Sequence, residues 1–141
     1  MEFDDLQQAH LIELPKINDP RGNLTFIESG QDVPFKVMRN YWIYDVPSGM
    51  WRDGHAFGHQ QELIIALSGS FDVVVNDGSH ETVFHLARPQ IALFVPEMTW
   101  RHIDNFSTNS VALILTSTLY DPDDYIANFE QFKSLKNQHN E

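Results

Sequence analysis

Residues 71–75 and 81–86 are two short runs of alternating apolar residues, separated by Asn76-Asp77-Gly78. An Asn/Asp-Gly pair between such runs is the strongest short-range signal for a tight antiparallel hairpin. The same rhythm recurs along the chain. Runs at 11–14, 24–28, 36–46, 62–67, 91–95 and 111–117 are broken by Asn18-Asp19-Pro20-Arg21-Gly22, by Pro47 and Gly49, by Ser68-Gly69-Ser70 and by Pro96. Many short strands with turn residues between them and no helical period predict an antiparallel sandwich or jelly roll. Only the C-terminus reads as helix. Asp121 can cap, Pro122 suits the first helical position, and Tyr125, Ile126, Phe129, Phe132 and Leu135 recur at three-to-four spacing. At 141 residues with 42% apolar content, one domain spanning 1–141 is expected.

Charge narrows the function. The formal net charge is −11, and a duplex-binding protein normally shows a basic face, so nucleic-acid binding is disfavoured. The chain has no cysteine, which removes thiolate chemistry. No apolar run is long enough to span a bilayer, and the N-terminus lacks the pattern of a signal peptide, so no membrane contact and a cytoplasmic location are expected. Against this acidic background Arg39, Arg52 and Arg101 fall within strands or at their ends. Guanidinium groups on a rigid sheet suit bidentate capture of phosphate; pairing with the surplus carboxylates is the alternative.

The chemistry concentrates between Gly49 and Gly69. His55 follows a Gly- and aromatic-rich approach, then come Gly58-His59-Gln60-Gln61, Glu62 and an apolar run. Gly49, His55, Glu62 and Gly69 fall on the spacing of the first metal-binding motif of the cupins, which this stretch resembles. Phe57 stands where that motif has its second histidine. In the second cupin motif, Pro96 and Asn105 fit, Met98 holds the glycine position and Arg101 the usual histidine. His102 is displaced by one residue, which turns a strand side chain to the opposite face. Two surviving ligands, His55 and Glu62, are too few for a catalytic zinc or iron site. The expectation is a cupin-type, RmlC-like jelly-roll barrel without metal and without cofactor.

An arginine in place of a ligand suits an anion or a developing oxyanion. His55 is the natural proton carrier, since imidazole changes charge near working pH. Tyr41 is a possible proton partner. It lies three residues from Tyr44, so only one of the two should face inward. His59 would be about 13 Å from His55 along an extended strand, too far for one relay.

Across nearly the whole chain the sequence resembles the dTDP-4-oxo-6-deoxyglucose 3,4-ketoisomerases of deoxysugar pathways. The matching pieces are Asp19-Pro20-Arg21-Gly22, Val33-Pro34-Phe35 with Arg39 and residues 41–46, Arg52 with Gly54-His55-Ala56, and 65–71 with 76–78. They continue with Pro96, Trp100, Asn105-Phe106-Ser107 and Tyr120-Asp121 with Asp124-Tyr125-Ile126. The resemblance implies a ketone moved from C4 to C3 of a dTDP-linked hexose through an enediol, feeding a cell-surface sugar such as that of an O-antigen. It also implies a metal-free homodimer with exchanged N-terminal strands. The expected catalytic residues are His55 and Tyr41, and the expected substrate contacts are Arg39, Arg52, Arg101, Trp100 and Glu62. Phe57 occupies the second place of the family's His-Ala-His pair. The competing readings are a non-catalytic sugar-nucleotide-binding module, a metal enzyme using His55, His59 and Glu62, and a purely structural barrel.

Overall fold

A computed structural model describes residues 5–47, 49–50 and 52–139, the side chains of 52, 53 and 139 excepted. Its elements run β1 (His10–Glu13), β2 (Lys16–Ile17), β3 (Leu24–Thr25), β4 (Arg39–Tyr44), β5 (Arg52–Phe57), β6 (Glu62–Ser68), β7 (Phe71–Asn76) and β8 (Glu81–Leu86). They continue with β9 (Ile91–Val95), β10 (Trp100–Asp104), β11 (Val111–Thr116), β12 (Tyr125–Ile126) and α1 (Phe129–His139). Two five-stranded sheets form, ordered β1-β9-β6-β11-β4 and β12-β5-β10-β7-β8, with β2 and β3 as a separate pair. All ladders between these strands are antiparallel. This is the jelly roll that the run-and-turn pattern predicts.

The period-two alternation decides what each face covers. Ile64 and Ala66 of β6 join Phe71, Val73, Val75, Leu93, Val95, Ile103 and Ile114 between the sheets. Leu63 and Ile65, one residue out of phase, pack on the outer side with Phe94, Leu115 and the N-terminal Leu14, Val33 and Phe35. Strand β6 is therefore buried on both faces, which is why it reads as a continuous apolar run. The 76–78 hairpin forms as expected. Gly78, at φ 101°, donates its N–H to Asn76 Oδ1 at 2.7 Å, a backbone setting that favours glycine.

The C-terminus departs from expectation. Asp121 does cap, its carboxylate accepting the Asp123 N–H at 3.0 Å, but what it caps is a single 3₁₀ turn over Pro122–Asp124. The chain then pairs as β12, and α1 begins only at Phe129, where Asn128 Oδ1 accepts the Gln131 N–H at 2.9 Å. Two N-cap signals thus lie close together, and Tyr125 and Ile126 gain more from pairing with β5 than from continuing a helix.

Helix α1 seals the outer face of the second sheet. Phe132 is fully buried against Ala56, Met98 and Ile126, with Trp100 stacked edge-on to Phe129 at 5.2 Å. A Cβ on Gly54 would lie 2.7 Å from Trp100 Cε2, inside that cluster. Gly54→Ala must push the indole against α1, and overpacking of this kind costs about 1–3 kcal/mol. Urea unfolding should show that loss, with earlier proteolytic release of the C-terminal helix.

Candidate active site

The second sheet's edge brings the chemistry together. In the β5–β10 ladder His55 lies directly opposite Arg101, and in β5–β12 Phe57 lies opposite Tyr125. Cross-strand partners share a face, so all four side chains point to the same side. They line a cavity of about 740 Å³ with Arg39, Tyr41 and Ile43 of β4, Met50, Gln60 and the lip formed by Tyr120, Asp121 and Pro122. That volume is within the range of small-ligand sites, roughly 300–1,000 Å³.

Beneath the cavity sits a buried ionic floor. Arg101 and Glu62 are almost wholly inaccessible. Arg101 Nε donates to Glu62 Oε1 at 2.9 Å and Nη2 to Oε2 at 3.1 Å, a bidentate pair. The same Nη2 donates to the Tyr41 hydroxyl at 3.1 Å, and Tyr41 in turn donates to Glu62 Oε2 at 3.0 Å. Gln60 Nε2 adds a longer contact to Oε2 at 3.4 Å and is itself held by Thr118 through Oε1 at 2.8 Å. Burial alone would push the Glu62 carboxyl up. The Arg101 charge and its hydrogen bonds outweigh that, His55 and Tyr41 help, and the net pKa is lowered. Burial likewise works against the Arg101 charge, and Glu62 and Tyr41 raise its pKa overall. Burial first and the Glu62 charge second push the Tyr41 phenol up to about 12.

His55 is held in an aromatic bracket. Its ring centroid lies 5.0 Å from Phe57, edge-on, and 5.1 Å from Tyr125. Arg39 stacks between two phenols, 5.1 Å from the Tyr41 ring and 5.4 Å from Tyr120. Its Nε is buried with no hydrogen-bond partner among the described residues. Such an orphaned donor beside a cavity is a place for an anion's oxygen.

The turn behind His55 is fixed from across the chain. The buried Asp124 carboxylate accepts the His59 and Gln60 N–H groups at 3.1 and 3.0 Å, and its carbonyl accepts the Gly58 N–H at 3.1 Å. A Cβ on Gly58 would lie 2.9 Å from Asp124 Oδ1. Met98, at the position where the second cupin motif has glycine, takes φ 57° and donates its N–H to the Phe57 carbonyl at 2.8 Å. That left-handed setting is uncommon for a side chain of this size.

Several expectations meet this geometry differently. Tyr41 faces the cavity while Tyr44 is 60% exposed on the other side, as their spacing requires. His102, one residue from Arg101, lies on the opposite face and pairs with Asp104 at 3.3 Å. Trp100, expected at the substrate, shares that outward parity, packs under α1 and does not line the cavity. Glu62, expected to touch substrate, lies below the cavity wall with both oxygens engaged. Arg101 combines both sequence readings, facing the cavity while paired with a carboxylate. The backbone of Arg52 pairs opposite Ile103, and its side chain lies outside the described residues. Gln60, Tyr120, Tyr125 and Asp124 carry no sequence signal that marks them as site residues.

The donor set does not fit the metal that cupins commonly hold. The Glu62 carboxylate is already occupied by a guanidinium, Phe57 has no donor atom, and His59 is exposed. Among the described residues no group of three or more potential ligands converges.

Comparison with known proteins gives a consistent answer. A family profile described as FdtA (WxcM-like, C-terminal) matches residues 7–137. The TDP-4-oxo-6-deoxy-alpha-D-glucose-3,4-oxoisomerase of Aneurinibacillus thermoaerophilus is 33% identical over 123 residues, covering 87% of this chain and 88% of that protein. A 3,4-ketoisomerase from Helicobacter canadensis superposes with a TM-score of 0.89 at 32% identity, covering 93% of this chain and 98% of its own. The sugar 3,4-ketoisomerase QdtA of Thermoanaerobacterium thermosaccharolyticum, solved in complex with TDP, gives 0.90 at 30% identity over 93% and 96% of the two chains.

Proposed function

The chain belongs to the FdtA (WxcM-like, C-terminal) family, and from that premise we propose that it is a sugar-nucleotide 3,4-ketoisomerase acting on TDP-4-oxo-6-deoxy-D-glucose. The observation that carries this reading is the placement of His55, Arg39, Arg101 and Tyr41 on the walls of one ligand-sized cavity, with Glu62 beneath them holding Arg101 and Tyr41.

The chemistry follows from those positions. His55 removes the proton from C3, the C–H electrons form the C3–C4 double bond, and negative charge develops on the C4 oxygen. A guanidinium facing a low-dielectric cavity stabilises that oxyanion strongly. Arg101 supplies it, held at fixed orientation by Glu62, so no reorganisation is needed during reaction. Returning the proton to C4 while the C3 hydroxyl proton passes to the C4 oxygen leaves the ketone at C3 and a hydroxyl at C4. Tyr41 is better suited to orienting Arg101 than to moving protons, because its hydroxyl proton is committed to Glu62 and its phenol is hard to ionise. Arg39, with Tyr120 beside it, is assigned to the diphosphate. Arg39→Ala should raise KM for the sugar nucleotide and Kd for TDP by about tenfold or more, since a charge-assisted hydrogen bond contributes roughly 1.5–3 kcal/mol. Calorimetry with TDP reads this directly, and kcat should change much less.

The reaction is proposed to be metal-independent, because the carboxylate a cation would need is held by Arg101. The assembly is proposed to be a homodimer. Trp42, Tyr44 and Leu67 are each more than half exposed and line an apolar groove with Val111 and Leu113 on the outer face of the first sheet. The β2–β3 pair presents Ile17 and Leu24, equally exposed, as the segment to exchange. A cytoplasmic enzyme feeding a cell-surface deoxysugar such as that of an O-antigen completes the reading. The test is proton NMR of chelator-treated protein with TDP-4-oxo-6-deoxyglucose. Appearance of the 3-oxo isomer supports the assignment, and persistence of the substrate alone rejects it.

A further inference from the structure

The ladder between β6 and β11 ends with Glu62 opposite Thr116, and the two segments stay tied beyond it. The Gln61 N–H donates to Ser117 Oγ at 2.8 Å, and the Ser117 N–H to the Gln61 carbonyl at 3.0 Å. One further step brings Gln60 against Thr118. Gln60 shares the parity of Glu62 along the strand, reaches it with its amide, and lines the cavity although it is only 3% exposed. Its backbone is held as well, the N–H donating to Asp124 Oδ2 at 3.0 Å.

The direction of the Gln60 amide is dictated by its neighbours. An ionised carboxylate only accepts, so the end that lies 3.4 Å from Glu62 Oε2 is the nitrogen. The amide oxygen then faces Thr118, whose hydroxyl donates to it at 2.8 Å. The nitrogen carries two N–H groups, and among the described residues Glu62 is the one acceptor it meets. That oxygen already takes the Tyr41 hydroxyl at 3.0 Å and Arg101 Nη2 at 3.1 Å. Three donors crowd one oxygen, and the amide is the most weakly held of them. A buried donor with so poor an acceptor gains by meeting a better one in the cavity.

Resting on the isomerase reading, we infer that Gln60 is a further catalytic residue, whose amide N–H donates to the enediolate beside Arg101, and that Thr118 is the positioning residue that keeps this N–H turned to the substrate. A neutral donor gains most when its acceptor becomes an anion, because hydrogen bonds to ionised groups are about twice as strong as neutral ones. The amide therefore favours the enediolate over the ketone. It does so without adding charge to a floor in which Arg101 and Glu62 already balance. The enediolate has oxygens on two adjacent carbons, so a guanidinium and an amide are engaged together. No bond to Gln60 forms or breaks, and its protons stay on the amide.

The experiment assays the full chain with TDP-4-oxo-6-deoxyglucose as wild type, Gln60→Met, Thr118→Val, Thr118→Ser and the double variant Gln60→Met with Thr118→Val, with urea unfolding of each. Methionine keeps the length of the side chain and removes the donor. Its kcat should fall by about 10²–10³-fold, the usual effect of deleting one oxyanion donor, with calorimetric TDP binding retained. Thr118→Val should lower kcat by about two- to tenfold, the range of one neutral hydrogen bond, and Thr118→Ser should keep the wild-type value. In the Gln60→Met background Thr118→Val should change kcat no further, because its effect passes through the amide. Wild-type kcat in Gln60→Met, a loss confined to KM, or an equal loss from Thr118→Val in both backgrounds overturns the inference while leaving the isomerase reading intact. If Gln60→Met does not fold, the Thr118 variants decide, and equal kcat in Thr118→Val and Thr118→Ser overturns the inference. Wild-type protein that yields no 3-oxo isomer overturns the isomerase reading itself, and the inference with it.

Discussion

His55→Asn lowers kcat by about 10²–10⁴-fold, the usual contribution of a positioned general base, while leaving TDP affinity nearly unchanged. Asparagine keeps a polar side chain of similar reach in the bracket formed by Phe57 and Tyr125. The strand pairing of His55 with Arg101 is a backbone property and survives the change. What is lost is the side chain able to accept a proton near neutral pH. The loss should be large because Phe57 offers no second imidazole and the Tyr41 phenol, pushed up to about 12, cannot take over. Equal falls in kcat and kcat/KM, with calorimetric TDP binding retained, are the expected signature. A comparable loss of TDP binding would instead mean that His55 holds the ligand.

Glu62→Ala destabilises the fold by about 3–5 kcal/mol, the cost of leaving one member of a buried ion pair alone. The carboxylate is all but inaccessible and satisfies Arg101 twice and Tyr41 once. Without it a permanently charged guanidinium remains in a low-dielectric floor and the Tyr41 hydroxyl loses its acceptor. Changing both Glu62 and Arg101 to leucine should recover much of the loss in stability but no activity, because paired removal leaves no orphaned charge. Urea denaturation of the two single variants and the double variant measures this. The same pair sets an acid limit. The folded pKa of Glu62 lies below the ordinary value of 4.5, so its contribution is fully present above that value and is lost as pH falls through the lower, folded one. Glu62→Gln should flatten the acid limb of the stability profile.

Strands β6 to β9 and β11 could be read from their residues because each is either an unbroken apolar run, as in β6, β9 and β11, or carries apolar residues at alternate positions between turn signals. β5 and β10 could not. The first is approached through glycines with little strand preference, and the second carries a charged residue, Arg101, at an inward position. Trp100 sits one residue from Arg101 and so on the other face, under α1. Tyr125 was hidden differently. Its three-to-four spacing with Phe129 and Phe132 is real, but pairing with β5 intervenes and presents its ring to His55. The bond between Glu62 and Arg101 spans 39 positions and has no local signature, whereas the inward choice of Tyr41 over Tyr44 followed from parity alone. His55, Arg39 and Arg101 were therefore legible as chemistry, and the floor that holds Arg101 was not.

Solvent exchange in D₂O tests most directly whether a lone imidazole and guanidiniums run this reaction without a bound cation. Chelator-treated protein is incubated with unlabelled TDP-4-oxo-6-deoxyglucose and followed by NMR. Solvent deuterium entering at C3 or C4 as the 3-oxo isomer accumulates is the predicted result. A substrate that stays fully protonated, or turnover that returns only when a divalent metal is restored, would contradict the account.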